Sequence, residues 1–227
     1  MTKPKRIFLV DDHPMMREGL ARSIEQGGPW KICGQAASSF AALEQVPLLL
    51  PDLVTMDVSL PDKNGLELIK DLLCRVPGLL ILVFSMHDET LYAERVMRAG
   101  AKGYLMKGEP TATLIQAIDT VLKGGVFLSG NASNHLLKSL AGSRSRGQYG
   151  LDLLSDRELE IFELIGSGKS NAQIASMLHI SPKTVDAHRA KMKTKLGLAD
   201  APSLMRSAVL WLETGRGKGS GGTTTPH

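Results

Sequence analysis

Residues 52–65, DLVTMDVSLPDKNG, decide the fold of this chain. An apolar run at residues 53–56 ends on Asp57, and a cluster of turn residues, PDKNG, follows at residues 61–65. A short apolar run bounded by turn residues predicts a buried parallel strand. Because open α/β sheets bind their ligands just beyond the carboxyl ends of the strands, Asp57 stands where a functional site is expected.

The same pattern recurs on both sides of this stretch. Further apolar runs that predict strands lie at residues 5–10, 30–35, 79–84 and 103–105. Segments with helical periodicity alternate with them, at residues 14–26, 38–46, 64–76, 88–99 and 110–123. We expect Pro47 and Pro51 to end the second of these helices. Alternating strands and helices predict a doubly wound, five-stranded parallel sheet covered on both faces.

Length and composition favour two soluble domains. The 227 residues, 43% of them hydrophobic, exceed what one compact domain usually needs. No apolar run approaches the roughly 18 residues of a membrane span. The amino terminus lacks a signal-peptide pattern, so we expect a cytoplasmic protein. Cys33 and Cys74 lack disulfide or zinc spacing, which predicts buried, reduced thiols.

The charge is unevenly distributed along the chain. Residues 1–130 carry 14 basic and 15 acidic side chains, whereas residues 131–227 carry 13 basic and 8 acidic ones. The net charges are therefore −1 and +5. A basic second half indicates a polyanionic partner, although this signal is weak by itself.

The composition changes between residues 125 and 150. A short helix is predicted at residues 131–140, and the Gly/Ser/Arg-rich segment AGSRSRGQYG follows, so we interpret residues 125–150 as a flexible linker. Residues 151–213 have purely helical periodicity, with four helices that begin near Ser155, Ser170, Ser181 and Asp200. Residues 214–227 are of low complexity and predict a disordered tail.

Polar side chains follow four of the five predicted strands and should meet at one edge of the sheet. They are Asp11, Asp12, Asp57, Ser85 and Lys107. Three neighbouring carboxylates repel one another unless a cation lies among them, and oxygen ligands suit Mg²⁺. Lys107 and Ser85 could neutralise and hydrogen-bond the oxygens of a transferred phosphoryl group. The set predicts a phosphoryl-accepting site.

These residues, together with Pro61, Gly65 and Tyr104, resemble the receiver domain of two-component systems over residues 5–123. The resemblance implies a flavodoxin-like receiver, residues 1–124, in which Asp57 accepts a phosphoryl group from a histidine kinase. It also implies that Mg²⁺ is held by Asp11, Asp12, Asp57 and the backbone carbonyl of Ser59. Ser85 and Tyr104 would be switch residues, and Lys107 would contact the phosphate. Met86 departs from the family, where a small residue is common.

Other interpretations of this region are weaker. His13 and His87 flank the site without metal-ligand spacing, which favours exposed loop histidines. The segment GSGKS at residues 166–170 lacks the first P-loop glycine, since Glu163 stands there, and no strand precedes it. MDVSLPD resembles an aspartate-based phosphatase motif, but Ser59 replaces the second Asp. A phosphohydrolase acting on small molecules and a DNA-binding regulator independent of phosphorylation remain as alternatives.

The second half predicts a helix-turn-helix, with a tight turn at residues 179–181. On the helix after this turn, Val185, His188, Met192 and Leu196 form one stripe that should pack inward. The opposite face presents Lys183, Ala187, Ala190 and Thr194, flanked by Asp186 and by further lysines, Lys191, Lys193 and Lys195. Small residues between lysines suit the major groove, because lysines contact phosphates while short side chains admit the bases.

Residues 154–196 closely resemble a LuxR-type helix-turn-helix. The matching positions are Leu154, Glu158, Gly166, Gly168, Ser170, Asn171, Ile174, Ala175, Leu178, Ile180, Ser181, Thr184, Val185, His188 and Leu196. The resemblance implies base contacts near Asp186, Ala187 and Ala190, and we choose Lys183, Thr184, Arg189 and Lys191 as backbone contacts. It further implies dimerisation through the last helix, where the apolar stripe is Leu204, Ala208, Val209 and Leu212.

A receiver followed by a LuxR-type module is the arrangement of the NarL/FixJ family of response regulators. We therefore expect an α/β receiver joined to an all-α, four-helix DNA-binding domain. The expected function is transcriptional control by phosphorylation of Asp57. Enzymatic activity would be limited to the receiver's own Mg²⁺-dependent phosphorylation and dephosphorylation. The expected partners are a histidine kinase, double-stranded DNA, a second copy of the chain after activation and RNA polymerase.

Overall fold

The structure, a computed structural model, describes residues 3–140 and 150–216. It contains two compact units, residues 1–144 and 145–227. Residues 141–149 of the predicted linker and residues 217–227 of the predicted tail lie outside the described residues.

The first unit is built around five parallel strands in the order β2-β1-β3-β4-β5. The strands are β1 (Lys5–Val10), β2 (Trp30–Ala36), β3 (Leu53–Met56), β4 (Leu80–Ser85) and β5 (Gly103–Met106). The helices between and after them are α1 (Pro14–Gly27), α2 (Ser39–Leu49), α3 (Gly65–Arg75), α4 (Glu89–Ala99) and α5 (Thr111–Leu122). The predicted doubly wound parallel sheet is confirmed.

Burial on both faces of the sheet explains why its strands are continuous apolar runs. All four residues of β3 are buried, since this strand lies at the centre of the sheet. One face packs against α1 and α5 through a cluster that includes Ile7, Leu9, Ile24 and Ile118. Helix α3 packs beside α2 and α4. A central strand with both faces covered fixes the position of whatever follows its carboxyl end.

Helix α2 continues past the proline that was expected to end it. Pro47 lies inside α2, which ends at Leu49, with Leu50 in the left-handed region at φ 45°. Proline has no N–H to donate to the carbonyl four residues earlier, which belongs to Leu43. Arg75 Nη1 donates to that carbonyl at 2.9 Å instead. The prediction was wrong because a side chain of α3 satisfies the freed acceptor.

The first part of the predicted linker packs on the first unit. Phe127 N donates to Lys102 O at 3.0 Å, and Tyr104 N donates to Phe127 O at 3.0 Å, which extends the edge of the sheet beside β5. Helix α6 (Gly130–Leu140) follows and packs against α4. Residues 127–140 therefore contact the two elements, α4 and β5, that lie beside the predicted phosphoryl site.

The second unit consists of a 3₁₀ turn (Leu151–Leu153) and four helices. They are α7 (Asp156–Gly166), α8 (Asn171–Met177), α9 (Pro182–Leu196) and α10 (Ala201–Arg216). Ser155 and Glu158 form the predicted capping box of α7. The turn between α8 and α9 places His179 in the left-handed region at φ 51°. The predicted helix-turn-helix order is confirmed, whereas α10 ends at Arg216, inside the predicted tail of residues 214–227.

Helix α10 uses its apolar stripe inside its own unit. A Cβ atom added to Gly166 of α7 would lie 2.6 Å from Ala208 O, so the two helices touch at their backbones. Leu204 and Ala208 are fully buried there, and Trp211 packs on Phe162 with ring centroids 6.0 Å apart. The prediction that this stripe serves dimerisation was wrong for Leu204 and Ala208, because the unit's own core covers them.

Two further expectations can be compared with the structure. Among the described residues, none of the helices is both long enough and apolar enough to cross a bilayer. Both cysteines are free, with Cys33 half-buried and Cys74 exposed. The prediction of burial was therefore wrong for Cys74, which lies on the solvent side of α3.

Candidate functional site

The ends of the central strands bring the predicted acidic residues together. Asp11 and Asp57 follow β1 and β3, which pair in register at Val10 and Met56. Both side chains are almost completely buried, and Asp57 N donates to Val10 O at 2.9 Å. The expected convergence at one edge of the sheet is therefore present in the structure, and it follows from the strands being parallel.

Lys107 lies between these two carboxylates. Its Nζ atom is 2.6 Å from Asp57 Oδ2 and 2.6 Å from Asp11 Oδ2, and its side chain is 3% exposed. Burial by itself would lower the pKa of Lys107, but the Asp57 and Asp11 carboxylates outweigh burial and hold this pKa above its ordinary value. An ammonium group whose charge is stabilised by both carboxylates thus faces the predicted acceptor.

The other acceptor oxygen of Asp57 is held by two donors, one at the end of β4 and one in the loop after β3. Ser85 Oγ donates to Asp57 Oδ1 at 2.7 Å, and Ser59 N donates to the same oxygen at 3.2 Å. Ser85 is fully buried at the end of β4. The carboxylate of Asp57 is therefore fixed in orientation by Lys107 on one oxygen and by hydrogen bonds on the other.

His87 connects this site to the buried switch candidate Tyr104. Its Nε2 atom lies 2.6 Å from Ser59 Oγ, and its ring stacks on Tyr92 of α4 with centroids 4.4 Å apart. Tyr104 Oη donates to the backbone carbonyl of His87 at 2.7 Å, and the Tyr104 ring is buried. The expectation of an exposed loop histidine was wrong for His87, which is half-buried. No spacing in the sequence indicates this contact.

The acidic cluster has the donors that a hard divalent cation requires. One ligand atom from each of Asp11, Asp12, His13 and Asp57 lies within 4.8 Å of the others. Two oxygens bound to one Mg²⁺ ion at about 2.1 Å can lie at most about 4.2 Å apart, so small side-chain shifts suffice. His13 is exposed as expected, yet its Nδ1 atom is 2.8 Å from Asp12 Oδ1. The carboxylates present fit a magnesium ion.

Helix α9 presents the predicted DNA-binding face to solvent. The exposed positions are Lys183, Thr184, Asp186, Ala187, Ala190 and Lys191. Val185 and Met192 are buried, as the helical periodicity predicted. Lys183 and Lys191 form no ion pair with the described part of the chain, whereas Thr184 Oγ1 lies 2.8 Å from Ser181 Oγ at the helix start. Two lysines thus flank a strip of small side chains.

Two of the predicted DNA contacts are linked by a residue of α8. Asn171 Nδ2 donates to Asp186 Oδ1, and Arg189 Nη1 donates to Asn171 Oδ1 at 2.8 Å. The sequence motif contains Asn171 but assigns it no partner. A periodicity argument cannot find such a contact, because the contact depends on how α8 and α9 cross.

A second set of polar contacts joins α9 to α7. Lys195 Nζ lies 2.6 Å from Glu158 Oε2, so this lysine pairs within the unit. Burial would raise the pKa of Glu158, but Lys195 and Ser155 together hold it below its ordinary value. Nearby, His188 Nδ1 is buried and has no hydrogen-bond partner among the residues that the structure describes. Burial lowers the pKa of His188, and Glu158 opposes that shift.

Comparison with protein families finds two matches that follow one another along the chain. Residues 7–119 match the response regulator receiver domain. Residues 152–208 match the luxR family of bacterial regulatory proteins. The first match contains the acidic cluster and Lys107, and the second contains the whole helix-turn-helix.

Individual relatives match this chain over most of its length. The transcriptional regulatory protein MctR of Rhizobium johnstonii is 33% identical over 208 residues, which is 91% of this chain and 94% of MctR. RcsB of Salmonella enterica serovar Typhimurium, solved with promoter rprA and the phosphomimetic BeF3-, is 25% identical. It has a TM-score of 0.62 and covers 90% of this chain and 98% of that one. A structure of two RcsB dimers bound to two parallel DNAs is 26% identical, with a TM-score of 0.57, and covers 90% of this chain and 97% of that one.

Proposed function

The chain belongs to the NarL/FixJ family of two-component response regulators, which bind DNA and regulate transcription, and we propose that Asp57 is the residue whose phosphorylation controls it. The observation that carries this proposal is the geometry around one carboxylate. Lys107 Nζ lies 2.6 Å from one Asp57 oxygen, and Ser85 Oγ lies 2.7 Å from the other. A charged donor and a hydroxyl donor are the groups that a phosphorylated aspartate needs.

The acidic cluster supports Mg²⁺ as the cofactor of this step. Asp11, Asp12 and Asp57 would hold the ion with the backbone carbonyl of Ser59, and the ion would neutralise charge on the phosphoryl oxygens when bound. His13 and Asp12 contribute an exposed side to the cluster. That side gives the ion and the phosphodonor a route to the buried carboxylate.

Phosphorylation transfers the group from a phosphohistidine of the kinase to Asp57. An Asp57 carboxylate oxygen forms a bond to phosphorus while the P–N bond to the kinase histidine breaks. The electron pair of that bond stays on the ring nitrogen, and the histidine, protonated on its other ring nitrogen, leaves as a neutral imidazole. Lys107 keeps its positive charge throughout and contacts the new phosphoryl group. The receiver acts here as a self-limited acceptor, because the product remains attached to Asp57.

The signal leaves the site through contacts that depend on Asp57. Ser85 must rotate or shift when its acceptor oxygen becomes part of an acyl phosphate, since the hydroxyl now has phosphoryl oxygens to bind. The next residues of this loop include His87, whose carbonyl accepts from Tyr104 Oη. Movement of this loop therefore changes the positions of Tyr104 and α4. Helix α6 packs against α4. Phosphorylation that stabilises one arrangement of these elements shifts the population of the chain towards that arrangement.

The output is binding of α9 in the major groove. Lys183, Thr184, Arg189 and Lys191 would contact the DNA backbone, and Asp186, Ala187 and Ala190 would face the bases. The dimers in the RcsB–DNA structure support a homodimer on DNA after activation. A regulator bound at a promoter would contact RNA polymerase. Such a regulator acts where the bacterial genome lies, in the cytoplasm.

Labelling with acetyl phosphate and Mg²⁺ tests the acceptor. We expect one phosphoryl group on the wild-type chain by intact-protein mass spectrometry and none on Asp57→Asn. Asp52→Asn is the matched control, because Asp52 precedes β3 and pairs with Lys5 at 2.7 Å at the opposite end of the strand. Unchanged labelling of Asp57→Asn would rule out Asp57 as the acceptor.

The regulatory step needs a separate measurement. We expect BeF3⁻ with Mg²⁺ to change both the oligomeric state and the affinity for DNA selected from random fragments. Neither should change in Asp57→Asn. If the variant binds DNA and responds as the wild type does, the chain is a regulator that works without phosphorylation. Sustained turnover of a phosphomonoester would instead indicate a phosphohydrolase.

A further inference from the structure

Asn171 joins the two helices of the helix-turn-helix through a single side chain. Its amide nitrogen donates to Asp186 Oδ1, and its carbonyl oxygen accepts from Arg189 Nη1 at 2.8 Å. Asp186 and Arg189 are three residues apart on α9 and therefore lie on one side of that helix. One neutral amide thus contacts a carboxylate and a guanidinium at the same time.

The Asp186 carboxylate stands in an unfavourable place for a DNA-binding protein. Asp186 is exposed and precedes Ala187 on the face that carries the small side chains. DNA phosphates repel a nearby carboxylate, and this repulsion opposes the attraction by the lysines. The bond to Asn171 restricts the carboxylate to a rotamer directed at α8. The adjacent Arg189 guanidinium, held by the same amide, offsets the negative charge.

The same contact with Asn171 fixes the position of the Arg189 guanidinium. Its guanidinium has five N–H donors, and the bond to Asn171 uses one of them. A half-buried arginine that is fixed at one end loses less rotamer freedom when its remaining donors meet a phosphate. Asn171 itself is the first residue of α8, where Ser170 and Gln173 already satisfy the helix start. Its side chain is therefore not needed as a cap.

We propose that Asn171 is a positioning residue of the DNA interface, which holds the Asp186 carboxylate away from the phosphates and presents Arg189 to them. This inference deepens the proposed function and rests on it. Asn171 acts through its two partners on α9. This contact in the helix-turn-helix therefore sets where the negative charge of Asp186 and the positive charge of Arg189 lie on the DNA-facing side.

Affinities for DNA selected with the wild-type chain test this role. We expect Asn171→Ala to bind about tenfold more weakly, the effect of losing a hydrogen bond to a charged group. The double variant Asn171→Ala/Asp186→Asn should bind almost as tightly as Asp186→Asn alone, because the loosened side chain no longer carries a charge. Comparison with Asp186→Asn accounts for any base contact that Asp186 makes. Gln173→Ala is the matched control. It removes a capping bond at the same helix end, 2.9 Å long, without touching Asp186 or Arg189.

The outcomes separate positioning from simple support of the fold. The control should lower the melting temperature of the second unit while affinity stays within about twofold. If Asn171→Ala lowers affinity as much in Asp186→Asn as it does in the wild type, the contact contributes only to the fold and the inference is overturned. Wild-type affinity for Asn171→Ala would also overturn it. Absence of DNA binding by the wild type would reject the proposed function itself, which a loss confined to the variants would not.

Discussion

Lys107 compensates the negative charge of the buried acidic cluster when no metal ion is bound. Asp11 and Asp57 are 2% and 4% exposed, and Lys107 contacts both of them. Removing one partner of a buried ion pair leaves an uncompensated charge, which typically costs about 3–5 kcal/mol. Lys107 thus stabilises the fold and, in the proposed mechanism, also contacts the phosphoryl group.

We predict that Lys107→Met lowers the free energy of unfolding of the first unit by about 3 kcal/mol without divalent cations. Saturating Mg²⁺ should restore part of that loss, because an ion bound by the folded chain neutralises the same carboxylates. Chemical denaturation with and without Mg²⁺ measures both effects. Lys102→Met, which changes an exposed lysine before β5, is the control. Equal stability of Lys107→Met and the wild type in a chelator would contradict the prediction.

The raised pKa of Lys107 sets the pH range of this stabilisation. A lysine whose pKa is higher in the folded chain contributes its full stabilisation below the unfolded value, roughly 10.4. The contribution is lost as the pH rises through the folded value. The difference in stability between the wild type and Lys107→Met should therefore be constant near neutral pH and decrease only in strong alkali.

Gly65 is required by close packing beside the acceptor. A Cβ atom at this position would lie 2.6 Å from Val58 Cα and 2.8 Å from Asp57 O, which are backbone atoms that cannot move aside alone. We predict that Gly65→Ala displaces the loop after β3, lowers stability by about 1–3 kcal/mol and weakens Mg²⁺ binding. Thermal melts and Mg²⁺ titration measure this. Gly19→Ala, with open space around the new methyl group, should leave Mg²⁺ binding unchanged.

At the scale of the elements, we expect the packing of α9 on α7 to depend on the protonation of His188. The charges that act on His188 of α9 come from Glu158 and Arg157 of α7 and from Lys191 and Lys195 of its own helix. Because burial lowers the pKa of His188, the unfolded chain binds a proton more readily than the folded chain does. The stabilisation is complete above the unfolded value, roughly 6.5, and decreases as the pH falls below it.

We predict that the melting temperature of the second unit falls between about pH 7 and pH 5, and that His188→Gln makes this dependence weaker. The comparison between the two proteins isolates His188 from the other histidines. Glu158 acts lower on the pH scale, because its lowered pKa makes its stabilisation disappear only below roughly pH 4.3. Parallel pH profiles for His188→Gln and the wild type would show that His188 does not contribute.

The elements that the sequence predicted well are those whose burial sets a regular apolar pattern. Strand β3 was predicted because burial on both faces leaves a continuous apolar run, and helix α9 because burial on one side leaves a helical period. The end of α2 was missed because it depends on Arg75, a residue of another helix. The contact between His87 and Ser59 was missed for the same reason, since two loops distant in sequence meet only in the fold.

At the scale of the whole molecule, the acidic cluster could be placed from the sequence, whereas the role of α10 could not. Parallel strands fix where Asp11, Asp57 and Lys107 meet, so the order of strands is enough. An apolar stripe such as that of Leu204 and Ala208 indicates only that something covers it. The stripe is covered by the chain's own core when the backbones of α7 and α10 can come close together. Gly166 of α7 permits that approach.

The net charge of +5 in residues 131–227 makes DNA binding by the full chain depend on salt. Each phosphate contact that releases a counterion contributes about 0.9 to the slope of log affinity against log salt concentration. We predict that Lys191→Ala lowers this slope by about 0.9 and weakens binding to all sequences by a similar factor. Lys195→Ala is the matched control, because Lys195 already pairs with Glu158 at 2.6 Å. Its slope should equal that of the wild type while the melting temperature falls. An unchanged slope for Lys191→Ala would remove Lys191 from the phosphate contacts and leave Lys183 and Arg189 as the candidates on α9.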